Sequence, residues 1–146
     1  MKKIIAFLLL LPYLGQADQV LTPNERVIAL TILGEARGEG ELGMFAVACV
    51  IQRRAWERKM TAAQVCLQKK QFSIWNGKKE RDLWHLWDSK HKMYARQLAR
   101  YLTRDYFILG DVTNGANHYC NINVNPYWAK GEKPVIIIGK HKFYKL

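Results

Sequence analysis

The stretch ERVIALTILGEARGEGELGMFAVACVIQR, Glu25–Arg53, decides how this chain folds. Its first half is apolar on nearly every side, through Val27, Ile28, Ala29, Leu30, Ile32 and Leu33. A helix with no polar stripe has no face to offer water and belongs at the centre of a core. Its start is marked just upstream: Thr22 can cap, Pro23 suits the first helical position, and Glu25 stands where a capping box needs an acid. Its end is expected between Glu35 and Gly38, with Gly38 as the stop. The second half opens another helix, expected over Glu41 to Arg58. There Leu42, Phe45, Ala46, Cys49 and Val50 form one apolar face, extended by Val47 and Ile51, with Arg53, Arg54 and Arg58 beyond it.

Further along, Thr61-Ala62-Ala63-Gln64 repeats the capping-box pattern for a short helix through Leu67. Residues 69–79 read as a loop centred on Gln71-Phe72-Ser73-Ile74-Trp75-Asn76-Gly77. A long helix is expected from Asp88 to Arg104, turning Met93, Leu98, Tyr101 and Leu102 inward. The Asn-, Gly- and Asp-rich segment 111–125 reads as loop or turn. The β-branched run Pro134 to Gly139 is the best strand, and a second short strand follows at His141 to Tyr144. The expected fold class is therefore mainly α (α+β), a single domain with a small β element near the C-terminus.

With 49% hydrophobic and 24% charged residues in 146, the chain can bury a core and does not have the composition of a disordered one. Its first residues stand apart from that core. Met1-Lys2-Lys3 is a short positive region, Ile4 to Leu14 an apolar run broken only by Pro12, and Gly15-Gln16-Ala17 supplies small residues. This is a secretory-signal pattern, with cleavage expected after Ala17 and an uncleaved anchor as the alternative. The domain proper is then 18–146. The net charge of +11 falls to +9 without Lys2 and Lys3, which favours an anionic partner such as a wall polymer or membrane surface. No nucleic acid is expected for an exported chain, and a monomer is expected. Export permits a disulfide, but Cys49, Cys66 and Cys120 are an odd set. Cys49 reads as a core residue, and Cys66 and Cys120 are free to pair or not. No cysteine or histidine spacing suggests a zinc site, so no metal or cofactor is implied.

Glu35 and Glu39 are the acids with chemical interest. Four residues apart, they would share a face of a continuous helix. Paired carboxylates are the usual apparatus for cleaving glycosidic bonds. Glutamates so spaced are also ordinary on helices, where they are solvated or paired, here with Arg37. Glu35 has a further property: an acid at the end of a buried helix is desolvated and opposes the helix dipole. Both effects favour the protonated form, as a general acid requires.

The segment resembles the SleB/CwlJ-type cell-wall hydrolases through Glu35-Ala36-Arg37-Gly38-Glu39, then Gly43-Met44, Ala46-Val47-Ala48 and Val50-Ile51 leading to Arg53. The family often has Asn before that arginine, where this chain has Gln52. The likeness continues at Val65-Cys66, Gln71-Phe72-Ser73, Gly115-Ala116-Asn117-His118-Tyr119, Pro126-Tyr127-Trp128-Ala129 and Ile138 to Tyr144. It implies a lysozyme-like domain acting on peptidoglycan glycan strands, as a lytic transglycosylase with Glu35 as the acid. Glu39 is then a support paired with Arg37, or a hydrolytic base. Phe72 and Trp75 could stack on sugar rings or cap the core. Gln71, Ser73 and Asn76 could hydrogen-bond sugar substituents or cap their own loop. The resemblance turns the loop carrying His118 and Tyr119 toward the cleft, and Trp128 is either cleft or core.

Two other readings compete. A zinc amidase cutting the peptide stem would need clustered histidine and acid ligands, whereas the four histidines are scattered, with His118 and His141 near the expected site. A non-enzymatic module could instead grip wall polymer or nucleic acid with its basic and aromatic residues, Lys69, Lys70, Lys78 and Lys79 bracketing the aromatic loop.

Overall fold

The computed structural model describes residues 20–104 and 109–146; the expected signal, residues 1–17, lies outside the described residues. Helix α1, Pro23–Ala36, begins with the expected capping box, in which the Thr22 side chain and Glu25 bond each other's backbone N–H. Every side chain from Ile28 to Leu33 is buried. The helix is packed against α2 (Gly40–Arg58), α3 (Ala62–Leu67) and α4 (Lys92–Leu102), which explains why none of its faces is polar. Each such aliphatic side chain contributes about 1.5–3 kcal/mol on burial.

A 3-10 turn, Arg37–Glu39, joins α1 to α2. The left-handed residue that lets the chain redirect is Gly40, at φ +71°, rather than the expected Gly38. Helix α2 runs close to the expected bounds, but Leu42 in its first turn is exposed. Helix α3 has the expected Thr61–Gln64 capping box.

The long helix expected over Asp88 to Arg104 is shorter, Lys92–Leu102, and a 3-10 segment precedes it. Glu80–Asp88 is 3-10, and α4 starts only at Lys92. Ser89 takes an extended ψ of 137° and its hydroxyl accepts from the His91 N–H, which replaces helical continuation with a turn. Leu98 and Tyr101 point inward as expected, whereas Met93 is exposed.

The sheet has three antiparallel strands in the order β1-β3-β2: β1 His118–Asn121, β2 Ile136–Ile138 and β3 His141–Tyr144. The hairpin β2–β3 lies where the β-branched run placed it. Strand β1 falls inside the segment read as loop, because it pairs with β3, far along the chain, as in His118 with Tyr144. Ile138 and Phe143 pack with Ala116 onto Ala46 and Val50 of α2. Helix α2 therefore separates the helical core from the sheet. All three cysteines are free thiols, Cys49 and Cys66 buried and Cys120 partly exposed, so Cys66 and Cys120 are not bridged. Among the described residues no helix is long and apolar enough to cross a membrane.

Candidate active site

Glu35 stands in the last turn of α1, and three elements converge on it. From the sheet, the Tyr119 hydroxyl donates to Glu35 Oε2 at 2.7 Å. From α2, the Arg54 guanidinium supplies positive charge nearby. From the loop 71–77, Ile74 closes over the helix end. A methyl group at Gly34 would meet the Ile74 side chain at 2.6 Å, so the glycine preceding the acid is what admits this contact. Oε1 is sealed from solvent and accepts no hydrogen bond of ordinary geometry among the described residues.

Burial raises the Glu35 pKa and is the largest influence on it. The Tyr119 hydrogen bond, the Arg54 charge and the nearby Ile74 amide act against it without cancelling it. Tyr119 is itself pushed well above its ordinary value, first by burial and then by the Glu35 charge, so its hydroxyl stays a donor. Its ring is held by Phe143, at 5.6 Å, and edge-on by His141, at 5.2 Å.

Arg54 is buried, yet it lies one and two turns beyond Val50 and Ala46, on the stripe that faces the sheet. The sequence set Arg54 beyond the apolar face and did not single it out; a charged residue continuing the Ala46 and Val50 stripe was the signal that could have found it. Its Nε donates to the Asn117 carbonyl at 2.7 Å and its guanidinium lies 5.3 Å over the Phe72 ring. Desolvation lowers the Arg54 pKa, opposed by neighbours that include Tyr119 and Glu35.

Glu39 does not turn to Arg37. Its Oε2 accepts from the Lys140 backbone N–H at 2.7 Å, in the turn between β2 and β3. Arg37 donates instead to the Leu33 carbonyl. The two acids therefore do not share a helix face: the 3-10 turn rotates Glu39 toward the hairpin.

The other candidates separate. Phe72 is 2% exposed and belongs to the core, not to a cleft wall. The Trp75 indole N–H donates to Thr31 Oγ1 at 2.9 Å, anchoring the loop to α1. The Gln71 side chain accepts from Arg58, while Ser73 and Asn76 are exposed. His118 and Trp128 are brought together, 5.1 Å between ring centroids, with Trp128 edge-on to Tyr144 at 5.4 Å. They lie on the opposite sheet face from Tyr119, because successive strand residues alternate. His118 pairs with Tyr144 across the strands and Tyr119 with Phe143. Burial lowers the His118 pKa, and its Nδ1 lies 2.8 Å from Asn117 Oδ1. The same alternation separates His118 from His141. Among the described residues no group of three or more His, Cys, Asp or Glu could hold a metal ion. A cavity of about 660 Å³ opens on a different side of α2, at Gln52 and Trp56, and contains none of these residues.

Known structures share this mainly helical fold. The catalytic domain of the germination-specific lytic transglycosylase SleB from Bacillus anthracis superposes with a TM-score of 0.63 at 23% identity, over 88% of this chain and 98% of that one. The catalytic domain of the Bacillus cereus SleB protein gives 0.62 at 23% identity, over 88% and 94%. No curated protein matches the chain. The model of the Cell Wall Hydrolase family matches residues 38–144, and the chain belongs to that family. It is an enzyme that degrades cell wall, with the lysozyme-like fold class its sequence led one to expect. The matched span begins at Gly38, so Glu39 and Tyr119 lie within it and Glu35 stands just before it.

Proposed function

We propose that this enzyme cleaves the glycosidic bond between N-acetylmuramic acid and N-acetylglucosamine in peptidoglycan, as a lytic transglycosylase with Glu35 as both acid and base. The observation that carries the reading is the division of the Glu35 carboxyl. Oε2 is held by Tyr119, Oε1 is sealed inside, the residue as a whole stays partly exposed, and burial raises the pKa. A protonated carboxyl then persists above the usual carboxylate range, where it can protonate a leaving oxygen. The bond from muramic C1 to that oxygen breaks, and the muramic 6-hydroxyl closes on C1. Its proton returns to Glu35, so no water is consumed and a 1,6-anhydro end forms. One carboxyl is enough for this sequence, which fits the commitment of Glu39 to the hairpin turn. The SleB domain from Bacillus anthracis, similar in fold, is described as a lytic transglycosylase.

The wall lies outside the cytoplasm, so this reading has the enzyme exported, by the signal in residues 1–17, to the periplasm or envelope. Lys69, Lys70, Lys78 and Lys79 are exposed beside the loop that covers Glu35, and they suit an anionic wall or membrane surface.

The test is a mass spectrum of the muropeptides released by the purified protein. Anhydromuramic ends are expected. New reducing ends would make the enzyme a muramidase, and free stem peptides an amidase. Glu35→Gln should lower the rate at least about 100-fold, the contribution of a positioned acid. A mutant that clears peptidoglycan at the normal rate would remove Glu35 from the chemistry.

A further inference from the structure

Glu39 is the second acid of the motif, and its contacts form a closed circuit with the first. Its side chain lies between two glycines. A Cβ at Gly43 on α2 would collide with Glu39 Cβ, and one at Gly139 would collide with Glu39 Oε2. Gly139 also sits at φ +54°, so the tight turn between β2 and β3 favours glycine for a second reason. Into this slot Glu39 accepts the Lys140 N–H at 2.7 Å. The next residue, His141, begins β3, is buried, and presses edge-on against the Tyr119 ring at 5.2 Å. Tyr119 bonds Glu35 Oε2, and Glu35 is four residues before Glu39 along the chain. Going round from Glu35 to Glu39, Lys140, His141, Tyr119 and back to Glu35, every step is a covalent link, a hydrogen bond or a ring contact.

We infer that Glu39 is a positioning residue: its bond to the Lys140 backbone fixes the β2–β3 turn, and through His141 and Tyr119 it sets the orientation of the Glu35 carboxyl. The inference rests on Glu35 being the acid. It accounts for the two glutamates without a second carboxylate at the reacting bond. It also separates two chemistries that the motif leaves together. A base or nucleophile at Glu39 needs a carboxylate charge, whereas a clamp needs only an acceptor oxygen.

Glu39→Gln and Glu39→Ala divide these cases, measured on soluble glycan-strand fragments. The glutamine carbonyl can accept the same N–H, so Glu39→Gln should keep kcat within about threefold of the parent, a neutral hydrogen bond being modestly weaker than a charged one. Glu39→Ala releases the turn and should lower kcat about 10- to 100-fold with KM little changed, as a misplacement near 1 Å does. Because burial is the largest influence on Glu35, loosening the sheet over it should also move the alkaline limb of the pH profile to lower pH. Gly139→Ala, which drives a methyl group into Glu39 Oε2, should reproduce the Glu39→Ala profile from the other side of the contact. Thermal unfolding of each variant confirms that it is folded. If Glu39→Gln is as impaired as Glu39→Ala, the charge is required and Glu39 belongs to the chemistry. If Glu39→Ala and Gly139→Ala both keep the parental kcat and pH profile, the turn does not position Glu35. A Glu35→Gln enzyme that remains active would instead overturn the assignment of the acid, so the two failures are distinguishable.

Discussion

The helical body and the sheet bury their residues to different depths. From Ile28 to Leu33 the central helix is wholly buried, whereas in the sheet only the middle strand β3 is mostly buried, β1 is partly buried throughout and Ile137 of β2 is 58% exposed. The body is a thick core built around α1. The sheet is a thin layer seated on Ala46 and Val50, and it reaches toward α1 at two hydrogen bonds, Tyr119 to Glu35 and Lys140 to Glu39. The helical body carries Glu35, and the sheet contributes the Tyr119 hydroxyl that bonds it. Stability and site geometry should therefore respond to different mutations.

The largest expected effect is on the body. Leu30→Ala should cost about 2–5 kcal/mol in chemical unfolding, since its surroundings have no solvent to fill the cavity. A cost below about 1 kcal/mol would mean the core around α1 is not the main source of stability. Next, native-state hydrogen exchange should rank the layers. Amides of α1 should open only with global unfolding, and those of β2 by local events of lower free energy. Equal protection in both would erase the contrast between them.

Tyr119→Phe should keep the packing on Phe143 and His141 but remove the hydrogen bond to Glu35. That bond favours the charged carboxyl, so its loss should raise the Glu35 pKa further and move the alkaline limb of activity to higher pH. A shift to lower pH would show that the hydroxyl favours the protonated carboxyl instead. This is opposite in sign to the Glu39→Ala shift, where water gains access.

Glu35 also makes stability depend on pH. Its folded pKa is raised, so the stability associated with the protonated form is complete at pH below its unfolded value and is lost as pH rises through the folded value. Glu35→Gln should accordingly unfold at a higher temperature than the parent near neutral pH, with the advantage disappearing in acid. A mutant no more stable than the parent at neutral pH would argue against a desolvated carboxylate. The smallest effect is expected at the loop anchor. Trp75→Phe, which leaves Thr31 without its indole donor, should cost about 0.5–1.5 kcal/mol in the same unfolding measurement.

Much of the helical body was legible in the chain because its signals are local. The Thr22–Glu25 and Thr61–Gln64 capping boxes are each contained within four residues, and the all-round apolarity of α1 needs no knowledge of its neighbours. The β2–β3 hairpin was legible for the same reason. Strand β1 was not, because Asn- and Gly-rich flanks indicate a turn and only its pairing with β3 makes it a strand. The later start of α4, at Lys92 and not Asp88, was missed because a serine in a helical pattern is ordinary until its hydroxyl is seen to accept from the His91 N–H.

At the site, the sequence singled out Glu35 at the end of a buried helix, and the desolvation it foretold is the largest influence on that carboxyl. It also held Tyr119 among the supporting residues, without saying what it supports. It gave Glu39 the wrong partner, because an arginine two positions away is the nearest cation along the chain while a backbone amide 101 positions away is not visible in it. The resemblance turned His118 and Tyr119 together toward the cleft, though a strand sends neighbours to opposite faces. Local polarity thus determined that the helix ending at Glu35 would be buried, while it was the family resemblance that made Glu35 the expected acid. Tertiary structure alone decided which oxygen of Glu35 is held, which backbone amide Glu39 bonds, and which aromatic reaches Glu35, because each depends on contacts between segments that no spacing along the chain records.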